Sequence, residues 1–81
     1  MFKNKILINL YVASIDKNFE IYFPVNEKVG NVIKLLKKSL LEHNGVTNSV
    51  VLINTVSGNI YRNNDIIRET DIKNGSKLIL I

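Results

Sequence analysis

The chain of 81 residues predicts an α+β domain in which one helix packs across one face of a mixed sheet of four to five strands. Three observations carry that expectation. Apolar residues alternate with a two-residue period near the N-terminus and again at the C-terminus, as in strands with one buried face. Between them lies the one strong helical periodicity of the chain, with apolar residues three and four apart. The remainder is punctuated by Asn, Asp, Ser and Gly, the residues of turns. The length suits one domain, residues 1–81, with no repeat, linker or low-complexity segment.

From Lys5 to Val12, Ile6, Ile8 and Leu10 alternate with Leu7, Asn9 and Tyr11. An unpaired Asn9 would be costly to bury, so the isoleucine set is expected inward and Leu7, Asn9 and Tyr11 outward. Ala13 to Asn18 supplies Ser14, Asp16 and Asn18 for a turn, and a second strand follows with Phe19, Ile21 and Phe23 inward. The short link makes the two an antiparallel hairpin, which Pro24 ends because it lacks an amide hydrogen. From Lys28 to His43, Val29, Val32, Ile33, Leu36 and Leu40 form one helical stripe, with Leu35 and Leu41 on its flank and Lys34, Lys37, Lys38 and Glu42 toward water. Asn26 and Glu27 place polar groups at the helix N-terminus, and Asn44-Gly45 offers a stop. Gly30 should weaken the first turn by about 1 kcal/mol relative to Ala.

Val46 to Ser49 reads as a connector and Val50 to Val56 as a third strand, with Val51 and Ile53 expected inward and Leu52 and Asn54 outward. Ser57-Gly58-Asn59 turns into a short fourth strand at Ile60-Tyr61. Arg62 to Thr70 is irregular and pinned by Ile66 and Ile67. Lys73 to Ser76 is a tight turn with a glycine available for positive φ, and Lys77 to Ile81 is the last strand, with Leu78 and Leu80 inward. The expected core is Ile6, Ile8, Leu10, Phe19, Ile21, Phe23, Val29, Val32, Leu36, Leu40, Ile53, Ile60, Ile67, Leu78 and Leu80.

Composition excludes several chemistries. There is no cysteine, so disulfides, thiolate metal sites, iron–sulfur clusters and thiol catalysis are excluded together. No apolar run approaches the roughly 20 residues of a membrane-spanning helix, and the apolar N-terminal stretch, interrupted by Asn9, reads as a strand rather than a signal peptide. The net charge is +4, but Lys34, Lys37 and Lys38 stand without an arginine cluster or interleaved aromatics, so they read as a solvated helix face rather than a nucleic-acid platform. His43, the only histidine, suits the negative end of the helix dipole. Asp65, Glu69 and Asp71 lack a nucleophile or a phosphate cradle nearby in sequence and read as turn formers and solvated charges. No catalytic, metal-binding or cofactor-binding residues are expected, and the chain is expected not to be an enzyme.

The order ββα followed by ββ, a turn and β resembles the β-grasp fold of ubiquitin. Phe23 to Val32, reading FPVNEKVGNV, is similar to ubiquitin's strand end and helix opening, and Asp71 to Leu80, reading DIKNGSKLIL, to its last turn and strand. The closer resemblance is to the YukD- and EsaB-type ubiquitin-like proteins of type VII (WXG100/ESX-like) secretion systems of Gram-positive bacteria. Those proteins tend to end in I-x-N-G-x-x-L-x-L, here Ile72-Lys73-Asn74-Gly75-Ser76-Lys77-Leu78-Ile79-Leu80, and Phe19-Glu20-Ile21 with Val29 to Ile33 fits their apolar pattern. The resemblance covers essentially the whole chain, mostly at core positions, which specify fold more than role.

What the resemblance implies is a cytoplasmic, non-enzymatic accessory or regulatory module, recruited to the inner face of the membrane by protein components of a secretion machinery, with no membrane insertion of its own. In a β-grasp sheet the first and last strands are parallel neighbours and the last lies beside the third. That arrangement places Leu7, Leu52, Asn54, Ile79 and Ile81 on the face opposite the helix, the face ubiquitin turns to most partners, and makes them the candidate protein-binding residues. A homodimer would use the same surface. Two other classes compete: a carrier modified at a C-terminus beyond Ile81, opposed by the absence of a Gly-Gly ending, and a basic binder of nucleic acid or anionic surfaces through the lysine face.

Overall fold

The first two strands, β1 (Lys5–Val12) and β2 (Lys17–Pro24), pair antiparallel without interruption from Lys5↔Pro24 to Val12↔Lys17. They belong to a computed structural model that describes residues 4–41 and 51–81, leaving aside the side chains of Leu40 and Leu41. The expectations for Leu40 as a core residue, for Glu42, His43, the Asn44-Gly45 stop, the Val46–Ser49 connector and Val50 lie outside the described residues. The hairpin turns through a single 3₁₀ turn, Ala13–Ile15, and then Asp16 at φ 51°. Aspartate tolerates that left-handed backbone better than most residues, and here its carboxylate also accepts a hydrogen bond from the Tyr11 hydroxyl.

The helix α1 spans Val29–Leu36 and continues as a wider π turn over Lys37–Leu41. Val29, Val32, Ile33 and Leu36 are buried, as their spacing demands, while Lys34 and Lys38 face water. No side chain caps the helix opening: Asn26 accepts from Arg68, and Glu27, just before the first turn, accepts from the Asn31 side-chain amide within it (3.0 Å). Instead the Val29 N–H donates to the Asp65 carbonyl (2.8 Å) and the Gly30 N–H to the Asn63 carbonyl (3.0 Å). A Cβ on Gly30 would stand 3.0 Å from the Asn63 Cβ, so the glycine that costs helix propensity is what admits the capping segment.

Two shorter strands complete the sheet, β3 (Leu52–Asn54) and β4 (Lys77–Leu80). The order is β2-β1-β4-β3, with β1 and β4 parallel and β3 and β4 antiparallel. Among the described residues the sheet thus has four strands, and the anticipated strand at Ile60-Tyr61 reduces to one bridge, Ile53↔Ile60. Side chains of β1 and β4 alternate faces as expected: Ile8, Leu10, Leu78 and Leu80 are buried with Phe23 and Ile67, and Ile6, Phe19 and Ile21 pack at the margin. Val12, Leu52 and Tyr61 join this core from positions the periodicity did not single out. Ile53 and Ile60, expected inside, are not part of it, and Ile60 is 64% exposed.

Candidate functional site

The surface in question is the sheet face turned away from α1, and its composition follows from register. Tyr11 is opposite Ile79, Ile79 is opposite Ile53, and Ile53 bridges Ile60. Directly paired residues share a face, so Tyr11, Ile79, Ile53 and Ile60 form one apolar row across three strands and the segment beyond. Ile81 exchanges both backbone hydrogen bonds with Val51 (2.7 and 2.9 Å), which sets a second apolar pair beside the row. Ile81 and Val51 are exposed, and Tyr11, Ile79 and Ile53 half-buried. On the other side of the row, Asn9 pairs with Lys77 and with Glu20, a polar band at the same level as Thr55, whose N–H and hydroxyl both donate to the Lys77 carbonyl (2.9 Å each). Beyond that band Leu7 pairs with the exposed Tyr22.

The expected site residues therefore separate. Ile79 and Ile81 lie on the row or beside it. Leu7 is on the same face but is cut off by the Asn9–Lys77 band. Leu52 and Asn54 are on the opposite face: Leu52 is fully buried and Asn54 buried, so both leave the candidate site, and Ile53 takes their place. The parity of β3 is open in the sequence because Val50 to Ile53 is an unbroken apolar run, and the expected phase, with Val51 and Ile53 inward, is the reverse of the observed one.

Asn54 is inside because every polar atom of its amide has work. Its Oδ1 accepts from the N–H groups of Val56 (2.9 Å) and Ser57 (3.1 Å), fastening the turn after β3, and its Nδ2 donates to the Tyr61 hydroxyl (3.1 Å). The Tyr61 hydroxyl donates in turn to the Asp71 carboxylate, which also accepts from the Asn59 amide (2.9 Å). Buried amides are tolerated when satisfied in this way. Burial, reinforced by the bond to Asp71, pushes the Tyr61 phenol up to about 12, and that same bond holds the Asp71 carboxyl below its usual range. On the outer face, the hydrogen bond to Asp16 raises the Tyr11 phenol above its ordinary value, so the row carries a neutral hydroxyl at its end.

Of the carboxylates read as turn formers and solvated charges, Asp65 does hold a turn, accepting from the Arg62 N–H (2.9 Å), whereas Asp71 is tied instead to Tyr61 and Asn59. Among the described residues no group of three His, Cys, Asp or Glu is placed to hold a metal ion. No helix among them is long and apolar enough to cross a membrane. Chemically, the sheet face offers apolar area with a lysine, a glutamate and a phenol beside it.

No family model matches the sequence, and no curated protein matches it. Its likeness is to solved structures. The chain superposes over 99% of its length on 76% of an N-terminal ubiquitin-like domain solved in solution, with a TM-score of 0.75 at 22% identity. The fold is the ubiquitin-like β-grasp. Ubiquitin from Caldiarchaeum subterraneum superposes with a TM-score of 0.72 at 17% identity, over 95% of this chain and 91% of that one. A chain of the MycP5-free ESX-5 inner membrane complex matches over 96% of this chain with a TM-score of 0.67 at 17% identity, the shared domain being 21% of that longer chain.

Proposed function

We propose that this β-grasp domain is a non-enzymatic interaction module of a type VII secretion system, binding a protein component of the machinery through the outward sheet face. The observation that carries this reading is the apolar row of Tyr11, Ile79, Ile53 and Ile60 with Ile81 and Val51 beside it. Scattered exposed apolar residues are ordinary, but a contiguous set rimmed by polar residues is the usual mark of a contact surface. The secretion context is supported by the sequence resemblance and by the likeness to a domain within a chain of the ESX-5 inner membrane complex.

The test is direct. Ile53→Ser with Ile79→Ser removes the centre of the row without touching a fully buried side chain, since both are half-buried. Affinity for the cytosolic domains of a type VII secretion ATPase and its membrane proteins should fall about 30-fold or more, as expected for central interface residues. Unfolding stability should fall by only about 1 kcal/mol if β-propensity is the main loss. By contrast, Lys34→Glu with Lys38→Glu should leave that affinity within about threefold. Wild-type binding by the isoleucine variant, or loss of binding by the lysine variant that added salt mimics, would move the contact off the sheet face.

A further inference from the structure

Contact between β1 and the C-terminal part of the chain starts before β4 does. The strand runs from Lys77, but the turn ahead of it already adds rungs to the ladder. The Asn9 N–H donates to the Ser76 carbonyl (2.9 Å), and the Gly75 N–H donates to the Leu7 carbonyl (2.8 Å). The acceptor for the Leu7 N–H is no backbone group but the side-chain oxygen of Asn74 (2.8 Å). Within the turn, the Ser76 N–H donates to the Lys73 carbonyl and the Lys73 N–H to the Ser76 hydroxyl (2.9 Å each). Gly75 sits at φ 88°, where a residue with a Cβ would be strained.

Asn74 and Gly75 are also a reactive pair. Asparagine is among the thermolabile residues, and a following glycine, with no Cβ, leaves its nitrogen free to approach the asparagine side chain. The Gly75 nitrogen bonds to Asn74 Cγ, the Cγ–Nδ2 bond breaks, and the Gly75 amide proton departs with Nδ2 as ammonia. Water then opens the five-membered imide at one of its two carbonyls. One opening leaves aspartate. The other leaves isoaspartate, whose main chain runs through the former side chain and is one methylene longer. Here both reacting groups are held by one residue, the amide oxygen on the Leu7 N–H and the Gly75 N–H on the Leu7 carbonyl. The nitrogen cannot turn to Cγ and lose its proton while that rung stands. Both residues are exposed, so water reaches the pair as soon as the rung opens.

We infer that Asn74-Gly75 is a deamidation site kept closed by Leu7, and that its opening is recorded irreversibly in the backbone. Aspartate at this position retains an oxygen that accepts from the Leu7 N–H and leaves the rungs in place. Isoaspartate inserts a methylene between the position that meets the Leu7 N–H and the Gly75 N–H that meets its carbonyl. The rungs at Leu7 and Asn9 then cannot both re-form, and the start of β4 is lost from the sheet.

The test follows the full chain in mildly alkaline buffer, folded and in urea, by mass spectrometry with peptide mapping that resolves Asn74-Gly75 from the other such pair, Asn44-Gly45. Conversion at Asn74 should be at least tenfold slower in the folded chain, because reaction waits on local opening. Ser76→Ala removes the hydroxyl that closes the turn and should raise the folded rate about threefold or more, with the rate in urea unchanged. Hydrogen exchange at the Ile8 amide, which alternation turns toward β2, checks that this variant keeps its hairpin. In purified isoaspartate-containing chains the Gly75 and Asn9 amides should exchange at least tenfold faster than in the wild type, with Ile8 unchanged. Asn74→Asp should keep both amides protected within about threefold. The folded-to-urea comparison and the isoaspartate chain need no substitution, so they decide the matter even where Ser76→Ala unfolds. Equal rates in folded and unfolded chains, no acceleration in a folded Ser76→Ala variant, or an isoaspartate form with full protection at Gly75 would overturn the proposal.

Discussion

The hairpin of β1 and β2 and the stretch from β3 to β4 build the same sheet by different means. In the hairpin, eight residues on each side pair in continuous register, the backbone satisfies itself, and each side chain is free to follow the water or the core. From Val51 to Ser76 only three residues form a strand, and backbone groups are met by side chains: Asn54 serves Val56 and Ser57, Asp65 serves Arg62, Thr70 serves Ile72 and Ser76 serves Lys73. Polarity therefore means opposite things in the two regions. An asparagine in the hairpin points outward, and one in β3 is a structural anchor.

The contrast can be tested by mutation. The largest effect belongs to neither region alone but to the helix both pack against: Leu36→Ala should cost about 2–5 kcal/mol by leaving a cavity, a large share of what a domain of this size holds. Chemical denaturation measures it, and a loss below about 1 kcal/mol would mean that α1 is not the element on which the two regions converge. A matched pair of asparagines comes next. Asn54→Ala should cost about 1–3 kcal/mol, because it strands two backbone N–H groups and removes the hydrogen bond that the Tyr61 hydroxyl accepts, whereas Asn9→Ala on the exposed face of β1 should stay within about 0.5 kcal/mol. Equal losses at the two positions would erase the distinction.

Legibility divides along the same line. The strands of the hairpin, the inward sets of β1 and β4, and the buried stripe of α1 were all readable because periodicity alone decides which face is apolar. The phase of β3 was not, because an apolar run precedes Asn54 and its partners Tyr61 and Asp71 lie 7 and 17 positions further along the chain, the latter through the tyrosine. The candidate site inherits that division. Ile79 and Ile81 come from a strand whose alternation was plain, while Leu52 and Asn54 were exchanged for Ile53. The capping of α1 by the Asn63 and Asp65 carbonyls was likewise hidden, since a backbone group leaves no residue-type signature; only Gly30, out of place in a helix, pointed to a close approach.

The smallest effect sharpens the comparison by pH. The Asp71 carboxyl is held down chiefly by the Tyr61 hydrogen bond, so its contribution is present above the unfolded value near about 4 and is lost as pH falls through the lower folded value. Tyr61 is shifted the other way, by burial first and then by Asp71, to about 12. Its contribution is intact below about pH 10 and is lost as pH rises from there toward the folded value. Urea titrations across pH should therefore show stability declining at both extremes, and Tyr61→Phe should flatten both limbs. Unaltered limbs in that variant would remove the pair from the pH response.

The strand made last in this order, β4, occupies an interior place in the sheet, with β1 on one side and β3 on the other. Its approach joins residues as distant as Leu7 and Asn74, 67 positions apart. Closing so long a loop comes before most of the contacts that reward it, which places the chain among slower folders than a helical protein of equal size. On the ribosome, at about 5–20 residues per second, the hairpin and helix wait several seconds with the inner edge of β1 open. For that interval the edge of the nascent hairpin that β4 later covers must be protected, and the polar band of Asn9 and Glu20 is where its apolar surface is interrupted.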